Sequence, residues 1–519
     1  MKRFIPAWYS HDKWWQDRVL PYYSKRLITE FDDMISLMNM HINNDVEINL
    51  SVMNYFPDLR TFLHRHDLYE VTYWSLFDEI QGFNHKTPQA IDYRELQWPE
   101  DSEFMYTPYL IRCITSDHTY TNIYFDQDGY LVWLEDFENQ IKKSRYVFDD
   151  RGWLSSIITF DDNALAEKQY YMTIDGDCIL TEDLIDNKVT VSKKYQHRFE
   201  QINYTNMELL IEEQFSKHSK AQFNKDDAVI VAADTRHNQL ISKYIDHDKL
   251  CYSIFSNRNR DMSDEKLNSI QNGANWIVDS LDRESMLLDY KKRQNSGNKI
   301  MRITPFDAQI LHNMSSQLYE TYIGIWIDGM TEFELQRLLE PLKTYISANE
   351  NCRLLFLTEL ESKHVSSWLM DEVKNVNDSY NALGQDIDGI NALLEEETDY
   401  VKKMDIKYVP FEIDLIETIS KLRIVVDLNS EPDLFLQICS ISAGIPQINK
   451  RTTDYVKEGA NGKVIKTEEE IVGALDYYLS HLKHWNHSYA YAIKLVDEYA
   501  SDNIINQLNG LIEGEIYGK

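Results

Sequence analysis

Residues 422–447 read LRIVVDLNSEPDLFLQICSISAGIPQ, and this stretch decides the fold class. Its first part, 422–428, is a nearly continuous run of branched apolar side chains, which is typical of a strand buried on both faces of a parallel sheet. The polar residues Asn429 and Ser430 end that run, and the apolar spacing from Leu434 onward predicts a helix. A strand followed directly by a helix is the repeating unit of α/β proteins.

The same alternation of strands and helices runs through most of the chain. The predicted strands are 4–7, 47–52, 228–233, 276–280 and 299–304 in a first group, and 322–327, 353–358, 406–409 and 422–428 in a second. Residues 71–83 are predicted to form a helix. This order of elements predicts two α/β domains, each with a parallel sheet covered by helices on both faces.

Residues 103–204 carry a different pattern, in which short alternating strands are separated by turn signals. One signal, Phe-Asp-x-x-Gly, occurs at 125–129 and again at 148–152, and a weaker copy lies at 174–179. Glycine supplies the positive-φ position of a tight turn, and aspartate accepts hydrogen bonds from the turn backbone. The pattern predicts an antiparallel β-sheet inserted into the first α/β domain. The expected division is 1–102 and 205–312 for the first domain, 103–204 for the insertion, and 313–519 for the second domain with a helical tail.

The composition excludes several classes of protein. The 519 residues include 85 acidic and 53 basic side chains, and the resulting net charge of −32 opposes binding to nucleic acid or to anionic lipid. Five cysteines without a Cys-x-x-Cys pair suit a reduced, cytoplasmic protein and argue against a zinc site. No apolar run reaches the roughly 18 residues of a membrane span, and no signal peptide is recognisable. We therefore expect a cytoplasmic protein without a metal or other cofactor.

The stretch that decides the fold also resembles the second half of GT-B glycosyltransferases of the retaining, nucleotide-sugar type. In that family a Glu follows a strand end and opens a helix, and a Gly-x-Pro element follows the helix; Glu431, Gly444 and Pro446 match these positions. A Gly-x-Asn-Gly turn then matches at 459–462. The resemblance implies a GT-B-like fold, in which two Rossmann-like domains face each other across a cleft.

Groups that contact the donor in that family differ in this chain. The family's second Glu, which accepts hydrogen bonds from the nucleotide ribose, is replaced by Cys439, and a buried thiol is a weak acceptor. The family's Arg and Lys after the first strand of the second domain are absent from 323–331, where Asp328 stands instead. A carboxylate beside a diphosphate is repulsive. The resemblance therefore implies no catalytic residue and a degenerate nucleotide-sugar cleft marked by Glu431, Cys439, Gly444, Asp328, Asn461 and Gly462.

Other interpretations of these residues stay open. Glu431 is also explained as an acid favoured at the start of a helix by the helix dipole. A different acid–base role for Glu431 and Asp328 is a further alternative. An aromatic cluster near the N-terminus fits stacking on a sugar or anchoring of a partner, and it also fits a buried core. The members of this cluster are Trp8, Tyr9, Trp14, Trp15, Tyr22 and Tyr23, and the first four are the candidates for binding a sugar or a partner.

Over its full length the chain resembles the first of the accessory secretory proteins of the accessory Sec system, which exports serine-rich-repeat glycoprotein adhesins in streptococci and staphylococci. The resemblance rests on the N-terminal Phe-Ile-Pro-Ala-Trp-Tyr, the inserted β-meander and the altered GT-B half. It implies a glycosyltransferase-like protein without transferase activity. The implied partners are companion accessory secretory proteins two and three, the motor ATPase and the glycosylated adhesin, which bears N-acetylglucosamine. The implied location is cytoplasmic, peripheral to the membrane through the export complex.

Three functions are compatible with these residues. The preferred one is a non-catalytic component of the export machinery that binds the adhesin and the companion proteins. The alternative is an active, divergent glycosyltransferase that adds N-acetylglucosamine to the adhesin, and the third is a purely structural adaptor without sugar affinity. Binding of UDP or UDP-N-acetylglucosamine distinguishes the enzyme from the other two.

Overall fold

Three β-sheets organise the chain, for which a computed structural model describes residues 1–9, 13–16, 32–84, 86–126, 128–360, 364–387 and 400–513. Two units are distinguished. Of the described residues, those up to Pro305 and those from Leu508 onward belong to the first unit, and those from Phe306 to Gln507 belong to the second. Two of the three sheets are formed by strands of the first unit, and the third by strands of the second unit.

The N-terminal part of the first unit alternates strands and helices. Its elements are β1 (Lys2–Ile5), α1 (Asp33–Asn43), β2 (Ile48–Val52), α2 (Leu59–Arg65), β3 (Thr72–Ser75) and α3 (Leu76–Gln81). The single helix predicted for 71–83 is therefore wrong in its first part. Threonine, tyrosine and tryptophan in β3 favour a strand, and the Ser75 hydroxyl accepts a hydrogen bond from the Asp78 amide at 3.3 Å, which caps α3.

Ten strands of the inserted segment form one antiparallel sheet, as predicted. They are β4 (Glu103–Tyr106), β5 (Ile111–Ile114), β6 (Thr119–Phe125), β7 (Leu131–Glu138), β8 (Ile141–Asp149), β9 (Trp153–Phe160), β10 (Ala166–Met172), β11 (Cys178–Asp183), β12 (Val189–Val191) and β13 (Asn203–Tyr204). Each strand pairs with its neighbour in the sequence, so the sheet is a meander. At the predicted turns, Gly129, Gly152 and Gly176 have φ values of 85°, 90° and 80°. Asp126 accepts a hydrogen bond from the Tyr130 amide at 2.9 Å.

A buried ion network joins the meander to helix α3. Arg151, in the turn between β8 and β9, lies 2.7 Å from Asp149 and 2.9 Å from Asp78, and all three side chains are at most 5% exposed. The Arg151 guanidinium also donates to the Phe83 carbonyl at 3.0 Å. Loss of hydration raises the pKa of Asp78 to about 6. Since buried charges are tolerated only when they are paired, the network fixes the position of this turn on α3.

The first unit continues after the insertion with a second run of alternating elements. They are α4 (Met207–Gln222), β14 (Ala228–Ala232), α5 (Asn238–Ser242), β15 (Leu250–Ile254), α6 (Asp264–Ser269), β16 (Asn275–Val278), α7 (Leu281–Gln294) and β17 (Lys299–Arg302). The parallel sheet has the order β17-β16-β15-β14-β1-β2-β3. Strand β1 pairs with β2 on one side and with β14 on the other, so the two runs meet in one sheet.

The second unit is built around a parallel sheet of six strands. Its elements are β18 (Thr321–Trp326), α8 (Glu332–Ala348), β19 (Cys352–Thr358), α9 (Ser367–Ile387), β20 (Met404–Tyr408), α10 (Glu412–Ile419), β21 (Leu422–Asp427), α11 (Leu434–Ser442), β22 (Gln447–Asn449), β23 (Gly462–Val464), α12 (Ile471–Leu479) and α13 (Leu482–Glu498). The last helix, α14 (Ser501–Glu513), begins in the second unit, and its residues from Leu508 onward are counted with the first. The strand order is β20-β19-β18-β21-β22-β23. Strands β18 and β21 are therefore neighbours, and their carboxyl ends lie at the same edge, where open α/β sheets bind ligands.

Candidate functional site

The carboxyl end of strand β18 places Asp328 beside the end of strand β19. The Asp328 carboxylate accepts hydrogen bonds from the Thr358 hydroxyl at 2.5 Å and from the Glu359 amide at 2.7 Å. Gly329 follows with a φ of 84°, and the Asn429 side chain donates to the Asp328 carbonyl at 2.8 Å. Loss of hydration raises the pKa of Asp328. A hydrogen-bonded carboxylate thus lies at the carboxyl end of β18, beside the end of β19.

Two further carboxylates accept hydrogen bonds at the start of helix α11. Asp433 is the N-cap residue, and its side chain accepts from the Leu436 amide at 2.8 Å. Asp427, at the end of β21, accepts from the Asp433 amide at 2.7 Å and from the Asn429 amide at 3.0 Å. Backbone amides at a helix start are the groups that bind phosphate in nucleotide-binding folds. In this chain two of them donate to the protein's own carboxylates.

The three carboxylates together oppose an anionic ligand. Loss of hydration raises the pKa of Asp433 to about 6, and the charges of Asp427 and Asp328 add to that rise. Loss of hydration also raises the pKa of Asp427. A phosphate oxygen about 5 Å from one ionised carboxylate meets a repulsion of about 3 kcal/mol at an effective dielectric constant of about 20. A diphosphate placed here therefore meets like charges.

Glu431 and Cys439 lie on the outside and the inside of the same segment. Glu431 is exposed and precedes the helix, whose N-cap is Asp433. Cys439 is 3% exposed and belongs to an apolar cluster that includes Trp326 and Leu436. Burial raises the pKa of the Cys439 thiol well above its ordinary value. A neutral, buried thiol does not provide the acceptor that a glutamate at this position provides.

Three residues of the GT-B pattern, Gly444, Asn461 and Gly462, stabilise turns or allow close backbone contacts. Gly444 has a φ of 70°, and a Cβ there would lie 2.3 Å from Cδ2 of Tyr489. The buried Asn461 side chain donates to the Tyr455 carbonyl at 2.6 Å. A Cβ at Gly462 would lie 2.7 Å from a carbonyl oxygen of the neighbouring strand β22. These residues are explained by turns and close contacts that the fold itself requires.

Lys450 brings a positive charge to this part of the second unit. It directly follows strand β22, and its Nζ lies 3.3 Å from a carboxylate oxygen of Glu334 and 3.3 Å from one of Glu468. Glu334 also forms the capping box of helix α8 with Thr331. The charge of Lys450 is thus matched by two carboxylates of the same unit. Lys450 is not among the residues predicted from the sequence, because β22 has only three residues and gives a weak strand signal.

The four candidates of the N-terminal aromatic cluster pack inside the first unit, whereas Tyr22 and Tyr23 lie outside the described residues. Trp8, Trp14 and Trp15 are 3%, 1% and 6% exposed. Tyr9 is partly buried, and its hydroxyl lies 2.6 Å from Nδ1 of His237. The three indole N–H groups donate to the carboxylates of Asp32, Glu208 and Glu182. With their faces packed and their polar atoms paired, the three tryptophans fit the buried-core alternative and are not available to a sugar or a partner in this arrangement.

Among the described residues, no group of three or more His, Cys, Asp or Glu side chains is arranged to hold a metal ion. The described helices include none that is both long enough and apolar enough to cross a membrane.

Comparison with known proteins gives matches along the whole length. A family model, described as that of the first accessory secretory protein of the accessory Sec system, matches residues 1–514. A protein of Staphylococcus aureus with the same description is 50% identical over 517 residues, which cover 99% of either chain.

Two solved structures have folds similar to that of this chain. The crystal structure of accessory secretory proteins 1, 2 and 3 of Streptococcus pneumoniae contains a chain with 27% identity and a TM-score of 0.83, with 99% of each chain covered. The pneumococcal O-GlcNAc transferase GtfA, solved with UDP and GlcNAc, has a TM-score of 0.69 at 13% identity and covers 100% of this chain and 99% of its own. The second likeness confirms the GT-B glycosyltransferase-like fold. Given the family match over residues 1–514 and the 50% identity to a full-length relative, the chain belongs to the accessory secretory protein 1 family of the accessory Sec system.

Proposed function

We propose that this accessory Sec system component is a non-catalytic, glycosyltransferase-like protein that binds the glycosylated serine-rich-repeat adhesin and companion secretory proteins for export to the cell surface. The start of helix α11 carries the proposal, because Asp427 and Asp433 accept hydrogen bonds from its backbone amides. An enzyme of this fold needs such amides, or cations beside them, for the phosphates of its donor. Carboxylates at this place oppose donor binding.

The division between retained and altered residues supports the same proposal. The retained Gly444, Asn461 and Gly462 serve turns and close backbone contacts. The altered positions, Cys439 and Asp328, stand where the family has groups that contact the donor. A chain that keeps the residues required by the fold and changes the residues that contact the donor retains the fold and loses the transfer reaction. On this basis Glu431, Cys439, Gly444, Asp328, Asn461 and Gly462 mark a degenerate nucleotide-sugar site.

The partners follow from the solved relative, which is a structure of accessory secretory proteins 1, 2 and 3 together. We infer that this chain assembles with its own accessory secretory proteins 2 and 3. The same complex meets the motor ATPase and the adhesin at the membrane periphery. The proposal includes three domains. The first consists of 1–102 and 205–312, the inserted domain of 103–204, and the last of 313–519. Limited proteolysis of the complex tests this division.

Isothermal calorimetry with UDP and UDP-N-acetylglucosamine tests the loss of donor binding. We expect no binding heat at ligand concentrations that saturate the pneumococcal transferase GtfA, which serves as the positive control. A transfer assay with an adhesin fragment and labelled UDP-N-acetylglucosamine gives the second readout. Steady sugar transfer by the purified chain would overturn the proposal in favour of an active, divergent glycosyltransferase.

Binding to the cargo is tested separately with two forms of one serine-rich-repeat fragment. The glycosylated fragment bears N-acetylglucosamine, and the bare fragment is its matched control. We expect the purified chain, alone or with its companions, to bind the glycosylated form more tightly. Equal affinity for the two forms, or no binding to either, would favour an adaptor without sugar affinity.

A further inference from the structure

The first strand of the meander lies at an edge of its sheet. Strand β4 pairs with β5 on one side and has no neighbour on the other among the described residues. The Thr107 amide donates to the Leu110 carbonyl at 3.0 Å, so these two residues form a hydrogen-bonded pair of the β4–β5 hairpin. Because bonded and non-bonded pairs alternate in an antiparallel ladder, the N–H and C=O groups of Phe104 and Tyr106 point away from β5. Within the described part of the chain, these four groups have no hydrogen-bond partner.

Other sheet edges of this protein carry features that prevent pairing with a further strand. Strand β13 has only two residues, and β17 begins with Lys299 and ends with Arg302. At β23 the Val464 amide donates to the Glu458 carboxylate at 2.5 Å. Short length, charged side chains and occupied amides all discourage pairing at an edge. Residues 104–106 of β4 carry no charge, and their outward amides are unoccupied by described residues.

The side chains of this edge are apolar, and two of them reach solvent. Met105 is 52% exposed and Tyr106 is 63% exposed. Phe104 is partly buried, and its ring packs edge-on against Tyr93 and Trp98. Since side chains alternate along a strand, Phe104 and Tyr106 share one face of the sheet and Met105 lies on the other. A strand added beside β4 therefore covers apolar side chains on both faces.

Exposed carboxylates just before the edge select the kind of partner. We name four of them the acidic flank: Glu95, Glu100, Asp101 and Glu103. No described Lys or Arg forms an ion pair with a member of the flank. Of the two arginines in neighbouring segments, Arg94 lies 3.0 Å from Asp92, and Arg112 donates to the Asn122 side chain at 2.9 Å. The acidic flank attracts Lys and Arg, whereas it repels anionic lipid and a second copy of itself.

We propose that the β4 edge binds an extended, basic segment of a partner protein, which adds to the ten-stranded meander as a further strand. Main-chain hydrogen bonds to Phe104 and Tyr106 hold the added strand. The pairing is antiparallel, like that between β4 and β5. An antiparallel strand ends where β4 begins, so Lys or Arg side chains at its C-terminal end lie beside the acidic flank. This inference goes beyond the proposed function, and it holds whether or not the chain binds sugar nucleotides or the adhesin.

The first test measures binding of a labelled peptide to the full chain by fluorescence anisotropy. The peptide is a designed strand of about ten residues, or about 33 Å, that alternates Thr and Val and ends in Lys residues. Met105→Lys adds a charge that repels the peptide, and Tyr106→Pro removes an outward amide without removing a bond to β5. Each variant is expected to raise the Kd about tenfold or more. The matched control Leu165→Lys adds the same charge at a side chain that is 65% exposed elsewhere in the insertion, and it is expected to leave the Kd unchanged.

Two further measurements separate strand addition from simple attraction of charges. Glu100→Lys/Glu103→Lys is expected to raise the Kd of the Lys peptide about tenfold or more and to lower the Kd of a matched peptide with Glu in place of Lys. Hydrogen–deuterium exchange followed by mass spectrometry reports on the backbone. The Lys peptide is expected to slow exchange in the fragment that contains 103–106, because the outward amides become hydrogen-bonded.

Several outcomes would overturn the proposal. They include no binding of the Lys peptide, unchanged exchange at 103–106, and an equal loss in Leu165→Lys and Met105→Lys. Equal or tighter binding of a peptide with its Lys residues at the N-terminal end would overturn the antiparallel pairing. Light scattering that shows a dimer lost in Met105→Lys would assign the edge to a second copy of the chain. Circular dichroism is expected to show the same fold in all variants, and none of these results depends on binding of UDP.

Discussion

Replacing Asp433 by Asn tests whether ionised carboxylates at the start of helix α11 destabilise the protein. Asparagine keeps the N-cap acceptor and removes the charge. Because burial raises the pKa of Asp433 from 3.8 to about 6, the folded chain holds the proton more tightly than the unfolded chain does. The free energy of unfolding therefore falls as the pH rises from about 4 to about 6, and the full loss is present above that range.

The size of the effect follows from the pKa difference between the two states. The rise from 3.8 to about 6 is about two units, and each unit corresponds to about 1.4 kcal/mol. Ionisation of Asp433 thus lowers the free energy of unfolding by at most about 3 kcal/mol at neutral pH. For a unit of about 150–250 residues, 1 kcal/mol shifts the Tm by about 2–4 °C. Asp433→Asn is therefore expected to raise the Tm of the second unit by several degrees.

Differential scanning calorimetry at about pH 7.5 and about pH 4.5 measures the effect on either side of the transition. The gain in Tm is expected at the higher pH and is expected to vanish at the lower pH, where Asp433 is protonated in the wild type. Glu431→Gln is the matched control, since Glu431 is exposed, and its effect on stability is expected to stay within about 0.5 kcal/mol. A lower Tm for Asp433→Asn at the higher pH, or a gain of equal size at both pH values, would refute the reasoning.

Three further substitutions test other parts of the structure. Gly444→Ala is expected to lower the free energy of unfolding by about 3 kcal/mol, because the cost of a positive φ and the cost of overlap between the new Cβ and Tyr489 add together. The control Gly459→Ala has a similar φ of 74° and open space around it, so it is expected to lose only about 1 kcal/mol. Equal losses for the two variants in urea denaturation would contradict the overlap at Gly444. Cys439→Glu is expected to lower stability by about 3–5 kcal/mol, because it buries an unpaired charge, and a stable variant that binds UDP in calorimetry would show that this position is open to a ligand. Arg151→Met is expected to lower the free energy of unfolding by about 3–5 kcal/mol, because it leaves two buried carboxylates without their cation. The control Lys188→Met removes an exposed ion pair and is expected to change the free energy of unfolding by less than about 1 kcal/mol. Similar Tm values for the two variants would contradict the role of the Arg151 ion network.

The two parallel sheets were predictable because several of their strands are continuous runs of apolar residues in the sequence. Residues 228–233 and 422–428 read as buried strands, and Ala228–Ala232 and Leu422–Asp427 are strands of the two parallel sheets. The meander turns were predictable from glycine, since few other residues adopt positive φ. The strand Thr72–Ser75 is short and directly precedes a helix, so the residue pattern of 71–83 predicts one helix over both elements. Strand β15 was not among the predicted strands.

The candidate site was predictable only in part. The sequence pointed to Asp328 and to the missing cations of 323–331, and Asp328 lies near Asp433 in the structure. Asp433 and Asp427 were not singled out, because their importance depends on which backbone amides face them, and that is set by the geometry of the turn before α11. Spacing along the chain likewise does not reveal that Lys450 reaches two carboxylates from other elements.

The pairing of β1 with β14 has a consequence for synthesis of the chain. Lys2 pairs with Ala228, so one side of β1 stays without its neighbour until the ribosome has translated more than two hundred further codons. At about 5–20 residues per second, this delay lasts tens of seconds. The meander has no such delay, because each of its strands pairs with the one just made. A nascent chain with an open, apolar strand edge is prone to aggregate, and the N-terminal segment is therefore where we expect a ribosome-bound chaperone to act.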